Sequence, residues 1–298
     1  MVNGTAIDAD IIVVQPRVNE WRRFSKVFFG RGLVAFGMIV ILVLVMVAVF
    51  APLIAPYPPD APNLTHTLAK PGPDHWLGTD QLGRDTLSRI VHGTRTSLMI
   101  GLTVVAIAGV VGMLLGLLAG YYGRWTYNII MRFIDALMSF PMILLALVVA
   151  ALMGSGIRNV IIALGVAMMP VYARLMCGQV FSIKENEYVV ASRSTGAGNA
   201  RIMLRHIVPN CLPPLIVLIT MMIGSVILAE AGLSFLGIGI TPPTAAWGSM
   251  VNEGRTYILT NPLLSIAPGG AIMLVVFAFN MVGDGLRDAL DPRLRGTI

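Results

Sequence analysis

The sequence predicts an all-α polytopic membrane protein with six transmembrane helices. Three observations carry that prediction. Hydrophobic residues fill 56% of the 298 positions and charged residues only 12%, about half of the roughly 25% typical of soluble domains. Apolar runs long enough to cross a bilayer, which takes about twenty residues, occur near 33–55, 98–121, 133–153, 159–177, 212–229 and 266–283. Their central stretches hold no Lys, Arg, Asp or Glu, residues that cost about 2.5–3.5 kcal/mol at mid-membrane. Asp135 and Arg174 fall near run ends, where a long side chain escapes much of that cost.

Residues 1–32 read as a polar amino-terminal tail, with an amphipathic stretch around Trp21 to Phe29. The first apolar run begins after some thirty residues and leads into Ala-Pro-rich sequence. It is therefore expected to stay as a signal anchor and not to be cleaved. With its external loop it makes a unit at 33–96. The loop contains Pro52, Pro56, Pro58, Pro59, Pro62, Pro71 and Pro73, a density that favours extended backbone. Two readings of it stand: a spacer, and a surface that meets an external partner. From Asp85 to Arg95 it is expected to form a helix lying at the outer interface.

A core at 97–286 follows. Ala108, Gly112, Gly116 and Gly120 repeat every fourth residue along the second run, a stripe that lets helix backbones approach closely in lipid. Pro141 and Pro170 predict kinks in the third and fourth runs. Only Gly154–Arg158 joins those two runs. The outer connection from Glu230 to Leu264 is long and rich in Gly and Pro, and is expected to dip partly into the membrane. Residues 287–298 form the carboxyl-terminal tail. Asp284, Arg287, Asp288, Asp291 and Arg295 space opposite charges at helical intervals there.

Charge sets the orientation. With the amino terminus inside, 15 of the 21 Lys and Arg residues fall on cytoplasmic segments, as positive-inside sorting requires. Both termini and the long polar segment at 181–210 are then cytoplasmic. The net charge of +6 is a topology signal, and nucleic-acid binding is not needed to account for it. Cys177 and Cys211 lack any Cys-x-x-Cys spacing and read as packing thiols.

The polar segment is the most telling stretch. A loop between two spans needs only a handful of residues, yet this one carries helical patterning on both sides of Gly196-Ala197-Gly198. Tyr188, Ala191, Ser192 and Thr195 share one face at i, i+3, i+4 and i+7. A second short helix holds Ile202, Leu204, Ile207 and Val208, and Pro209 is expected to end it. Such a segment either lies on lipid headgroups or docks into a groove on a soluble partner.

This segment resembles the "EAA" motif of the membrane subunits of ABC importers, roughly EAA-xxx-G-(nine residues)-I-x-L-P. The register here is Val190-Ala191-Ser192, three residues, Gly196, nine residues, then His206-Ile207-Val208-Pro209; the leading Glu is Val190. The stretches HWLGTDQLGRDTLSRIVHG at 75–93, LSFLGIGITPPTAAWGSM at 233–250 and FNMVGDGLRDALDPRLR at 279–295 resemble the C-type permease of dipeptide and oligopeptide (peptide/nickel) importers. Ala245 and Ala246 depart from the usual PPTPEWG.

The resemblance implies a type I ABC importer permease fold in a prokaryotic plasma membrane. It implies four kinds of surroundings: a second homologous permease, two ABC ATPase subunits or domains that bind ATP and Mg, an extracytoplasmic substrate-binding protein, and the bilayer. ATPase coupling would fall to Tyr188, Ala191, Ser192, Gly196, Ala197 and Gly198, with Arg205, His206 and Pro209 holding the segment against the membrane core. Peptides are the implied cargo, although nickel and glutathione permeases share these signatures.

The residues speak to coupling by what they lack. Lys26, Lys70 and Lys184 follow Ser25, Ala69 and Ile183, so no P-loop Gly-Lys exists. His66, His75, His92 and His206 are each followed by a residue other than Glu, which excludes an HExxH zinc site. No cofactor or metal is expected in the chain, and no residue of the spans declares itself a cargo ligand. Buried acid pairs of a proton-driven carrier are not seen either. A subunit coupled to a separate ATPase is expected, against the alternative of a self-sufficient secondary transporter or channel.

Overall fold

Membrane-spanning helices dominate the computed structural model of the protein, which describes Ser25 and residues 27–290. Helices α1 (Gly32–Val49), α2 (Thr86–Tyr122), α3 (Arg124–Met138), α4 (Met142–Met153) and α5 (Ile157–Lys184) make the first part. Then come α6 (Glu187–Ser194), α7 (Asn199–Ile202), α8 (Val208–Phe235), α9 (Trp247–Gly254) and α10 (Leu263–Leu290). Among the described residues, five helices are long and apolar enough to cross a membrane; these are α1, α2, α5, the α7–α8 unit and α10.

The third predicted run is made differently from the other five. It is a pair, α3 and α4, bent by 90° at residues 139–141, and it completes six crossings when counted as one span. Pro141 sits at the corner with an extended backbone. Its ring and missing N–H stop α3, and the residue before it is pushed out of helical geometry. The expected kink is therefore a full corner. Pro170, by contrast, lies inside an unbroken α5.

The glycine stripe of α2 packs as the sequence indicates. Gly112 faces Met169, Tyr172 and Ala173; Gly116 faces Ala173, Met176 and Cys177; Gly120 faces Cys177 and Val180. Numbers rise together, so α2 and α5 run parallel. A Cβ on Gly112 would sit 2.5 Å from the Met169 carbonyl oxygen, and one on Gly120 would sit 2.8 Å from Val180 Cβ. Elsewhere α10 lies antiparallel to α1: a Cβ on Gly37 would meet Ala278 O at 3.0 Å, and one on Gly285 would meet Val34 Cγ1 at 2.7 Å. An Arg31–Asp288 ion pair closes that end, so Asp288 pairs with the amino-terminal side and not with its own helix. Asp291, Arg295 and most of the amphipathic Trp21–Phe29 stretch fall outside the described residues.

Two boundaries differ from the sequence reading. Asp85 caps α2, accepting from Ser88 N at 2.8 Å, and the helix runs without interruption into the second span. There is no separate interfacial helix at 85–95, because nothing between Thr86 and the span breaks helical hydrogen bonding. Helix α8 likewise continues to Phe235, which places Glu230 inside it at 1% exposure. Glu230 accepts from Ser234 Oγ at 2.7 Å, and that same oxygen accepts from Ile240 N at 2.9 Å. Arg174 and Asp135 pair at 2.6 Å on the surface between α5 and α3.

Gly116→Ala is expected to destabilise the protein by about 1–3 kcal/mol, because its methyl would overlap α5 backbone. Gly165→Ala meets no atom within 4 Å and should be neutral or stabilising by up to about 1 kcal/mol. Thermal unfolding of the two variants in the same detergent checks the pair; equal melting temperatures would show that the stripe is not a contact.

Candidate functional site

The polar segment forms a small layer beneath one end of the bundle. Helix α5 stops at Lys184, whose Nζ donates to Gly120 O at 3.2 Å. Helix α6 follows, then Gly196 turns the chain at φ +81°, a conformation glycine adopts without penalty. Gly198 precedes α7 with an extended backbone. Residues Met203–Ile207 then pass as a π-helical stretch directly into α8. Val189, Ile202 and Ile207 are fully buried and pack with Tyr121, Val180 and Leu215. Tyr121 Oη donates to Asn199 Oδ1 at 2.8 Å. The opposite face exposes Tyr188 at 44%, Val190 at 51% and Leu204 at 68%.

The predicted site residues divide into two groups. Tyr188, Ala191, Gly196 and Gly198 lie on the exposed face; Ser192 and Ala197 are half-buried. His206 is also half-buried, with Nε2 3.4 Å from Ser192 Oγ and its ring 6.3 Å from that of Tyr188. Arg205 and Pro209 are exposed. They do not hold the segment to the core; Val189, Ile202 and Ile207 do, because apolar contact is what the underside of the bundle offers. Nor does Pro209 end a helix. It occupies the first turn of α8, where its missing N–H is tolerated, and the π-helical stretch before it re-registers the hydrogen bonds.

At the other end of the bundle the loop before α2 closes onto α9 through buried charges. Arg84 Nε lies 2.6 Å from Asp80 Oδ2 and its Nη2 3.2 Å from Glu253 Oε2. Arg89 reaches the same two oxygens at 3.6 and 3.8 Å. Both arginines are essentially inaccessible. Burial pushes the Glu253 carboxyl above the usual carboxylate range, while Arg89 and Arg84 pull it back. His75 Nδ1 lies 2.9 Å from Asp85 Oδ1. Trp247 Nε1 donates to Ile90 O at 3.0 Å, and a Cβ on Gly93 would collide with its ring at 2.8 Å. Ala245 and Ala246 are buried beside it. The outer connection thus packs on protein here and is not a bare dip into lipid.

Comparison with known proteins follows the same geography. Residues 112–296, which include the polar segment, match the model for the binding-protein-dependent transport system inner membrane component. Residues 19–71 match the N-terminal transmembrane domain of oligopeptide transport permease C. The chain belongs to this permease family. It is 42% identical to the dipeptide transport system permease protein DppC of Alkalihalophilus pseudofirmus, over 93% of this chain and 91% of that protein. It is 44% identical to the glutathione transport system permease protein GsiD of Pectobacterium atrosepticum, over 92% of each. Among solved structures, an inward-facing MetNI methionine ABC transporter chain aligns at TM-score 0.56 and 19% identity, over 68% of this chain and 96% of that one. That likeness concerns the fold.

In this permease the buried clamp was missed by reasoning on charge alone, although Asp80, Arg84 and Arg89 sit in the stretch 75–93 that carries part of the resemblance, and Glu253 follows three residues after the stretch 233–250. A usable signal was there: Asp80, Arg84, Asp85 and Arg89 fall within ten residues of each other, beside Trp76 and among Gly78, Gly83 and Gly93. Glu253→Ala is expected to cost about 3–5 kcal/mol, since two buried guanidinium groups lose a partner. Glu253→Gln should cost less. Melting of the detergent-solubilised permease checks this, and an unchanged midpoint in Glu253→Ala would show the cluster to be solvated.

Proposed function

We propose that this permease is the transmembrane subunit of an ATP-driven, binding-protein-dependent importer of dipeptides or oligopeptides. A second permease would complete the pathway, two separate ATPase subunits would drive it from the cytoplasm, and an extracytoplasmic receptor would deliver cargo to the clamp end. The observation that carries the reading is the two-faced segment at 187–207. One face is locked into the bundle, and the other leaves Tyr188, Val190 and Leu204 bare. A segment resting on lipid headgroups would not need that internal lock, whereas a lever must be stiff to transmit force. ATPase closure would push on this face and tip α5 and α8 between two packings. The DppC-named relatives support peptide cargo; the GsiD-named relative keeps glutathione, itself a peptide, as the alternative.

Coupling is tested at Gly196. Its Cβ position is open in the single chain, so Gly196→Asp should leave the permease inserted and stable. Uptake of labelled dipeptide should be abolished and the ATPases should no longer co-purify. Gly196→Asn, which tolerates a positive φ, separates backbone strain from bulk and should also lose uptake. Near-normal transport in both would remove the segment from the coupling role.

Orientation has its own test. In a background lacking Cys177 and Cys211, Leu259→Cys at the clamp end should react with impermeant maleimide in intact spheroplasts, and Ala200→Cys should react only after lysis. The inverse pattern would reverse the topology.

A further inference from the structure

The polar segment beneath the bundle is jointed in three places. Only Glu185 and Asn186 separate α5 from α6. Residues 195–198 turn the chain between α6 and α7, with Gly196 at φ +81°. The π-helical stretch Met203–Ile207 then leads into α8. A layer with three joints carries a push into the bundle only where directed contacts fix it. Val189, Ile202 and Ile207 hold it down, but apolar burial is non-directional and lets surfaces slide.

Direction comes from one side chain at the end of α2. Tyr121 is buried, at 9% exposure, and it reaches both sides of the Gly196 turn. Its Oη donates to Oδ1 of Asn199, the first residue of α7, at 2.8 Å. The Arg193 guanidinium of α6 lies 5.8 Å from the centre of its ring, within range of a cation–π contact. Among the described residues, the Tyr121–Asn199 bond is the one side-chain hydrogen bond that joins residues 187–207 to a helix distant in sequence. The neighbouring Gly120 packs on Val180 and offers its carbonyl to Lys184 Nζ at 3.2 Å, so the end of α2 is itself fixed to α5. Tyr121 therefore sits where the α2–α5 pair meets the segment.

We propose that Tyr121 is a positioning residue for coupling. It locks α6 and α7 in one register on the α2–α5 body, so that a push on the segment moves that body. The proposal rests on the importer reading above and adds to it the side chain through which the permease receives the push. Without this tie the segment turns at its joints, and ATP is hydrolysed without cargo crossing.

The test uses the whole transporter, with both permeases, the ATPases and the receptor, in liposomes. It reads dipeptide taken up per ATP hydrolysed. Tyr121→Phe removes the hydroxyl and keeps the ring; Asn199→Ala removes the acceptor at an exposed position. A hydrogen bond of ordinary net strength shifts an equilibrium about threefold to tenfold, so each variant should lower uptake per ATP by about twofold or more. The ATPases should still co-purify. The double variant should be no worse than either single one, because both remove the same bond. Asn199→Asp keeps an acceptor and should stay near the unaltered ratio. A tyrosine with a merely structural role would lower the melting midpoint and leave the ratio alone. An unchanged ratio in Tyr121→Phe and Asn199→Ala would overturn the proposal, as would losses that add in the double variant. If Tyr121→Phe does not assemble, Asn199→Ala set against Asn199→Asp reads the same bond. A failure of the importer reading would show differently, as no ATP-driven uptake by the unaltered complex.

Discussion

Close approach of α2 and α5 is the contact on which the rest of the permease hangs. Lipid tails are as apolar as Leu, so burying side chains against a neighbour gains little in a membrane; what remains is dispersion and close backbone contact. Glycines at 112, 116 and 120 supply it by letting the α5 backbone come within the distance a Cβ would occupy. The two helices run parallel, and each carries a different end of the molecule. Helix α2 begins in the clamp, capped by Asp85 and followed by Arg89. It finishes at Tyr121, which holds Asn199 of the polar segment. Helix α5 runs straight into that segment. A rigid pair therefore spans the distance between the clamp layer and the polar-segment layer.

The two end layers are built on opposite principles. At the clamp end, charged groups are buried and paired, with Asp80 and Glu253 answering Arg84 and Arg89. Such clusters are weak sources of net stability but are severe when broken, which fits a layer that must hold one geometry. At the other end, apolar groups are left bare on a short, internally anchored segment. Bare apolar surface beside polar surface is the ordinary mark of a surface that meets a partner. An importer needs both: a fixed outer platform and an inner surface that something else can push.

Much of this was legible in the sequence, and what was not has physical reasons. Spans are legible because hydrocarbon imposes one simple rule on composition, and the glycine stripe is legible because lipid leaves few other ways to pack helices. The corner at Pro141 was not, since α3 keeps enough apolar residues to extend the run while its Arg132 and Asp135 look like a span end. The burial of Arg84 and Arg89 was not legible, because it depends on Glu253, 164 residues or more away in the chain, together with the nearby Asp80. Of the face read from periodicity in α6, Tyr188, Ala191 and Thr195 are exposed and Ser192 is half-buried, while the exposed Val190 lies off that face. The holding residues were not correctly assigned, because basic side chains near a membrane suggest anchoring, while the actual underside is a hydrocarbon-like surface that selects Val189, Ile202 and Ile207.

The π-helical stretch at Met203–Ile207 joins these parts. Extra residues in a helical turn weaken the local ladder and recur where function needs a helix to re-register. Here the stretch separates the short α7, held to Tyr121 through Asn199, from the spanning helix α8. Proline at 209, 213 and 214 removes three backbone donors just beyond it, so this is the least strongly laddered part of the α7–α8 unit. On the importer reading, a push on the exposed face at Tyr188 and Leu204 reaches α8 through this joint, while α2 and α5 stay clamped together. The element that flexes most easily is then α8, whereas α5 tips together with α2 as the one body that ties the two ends together.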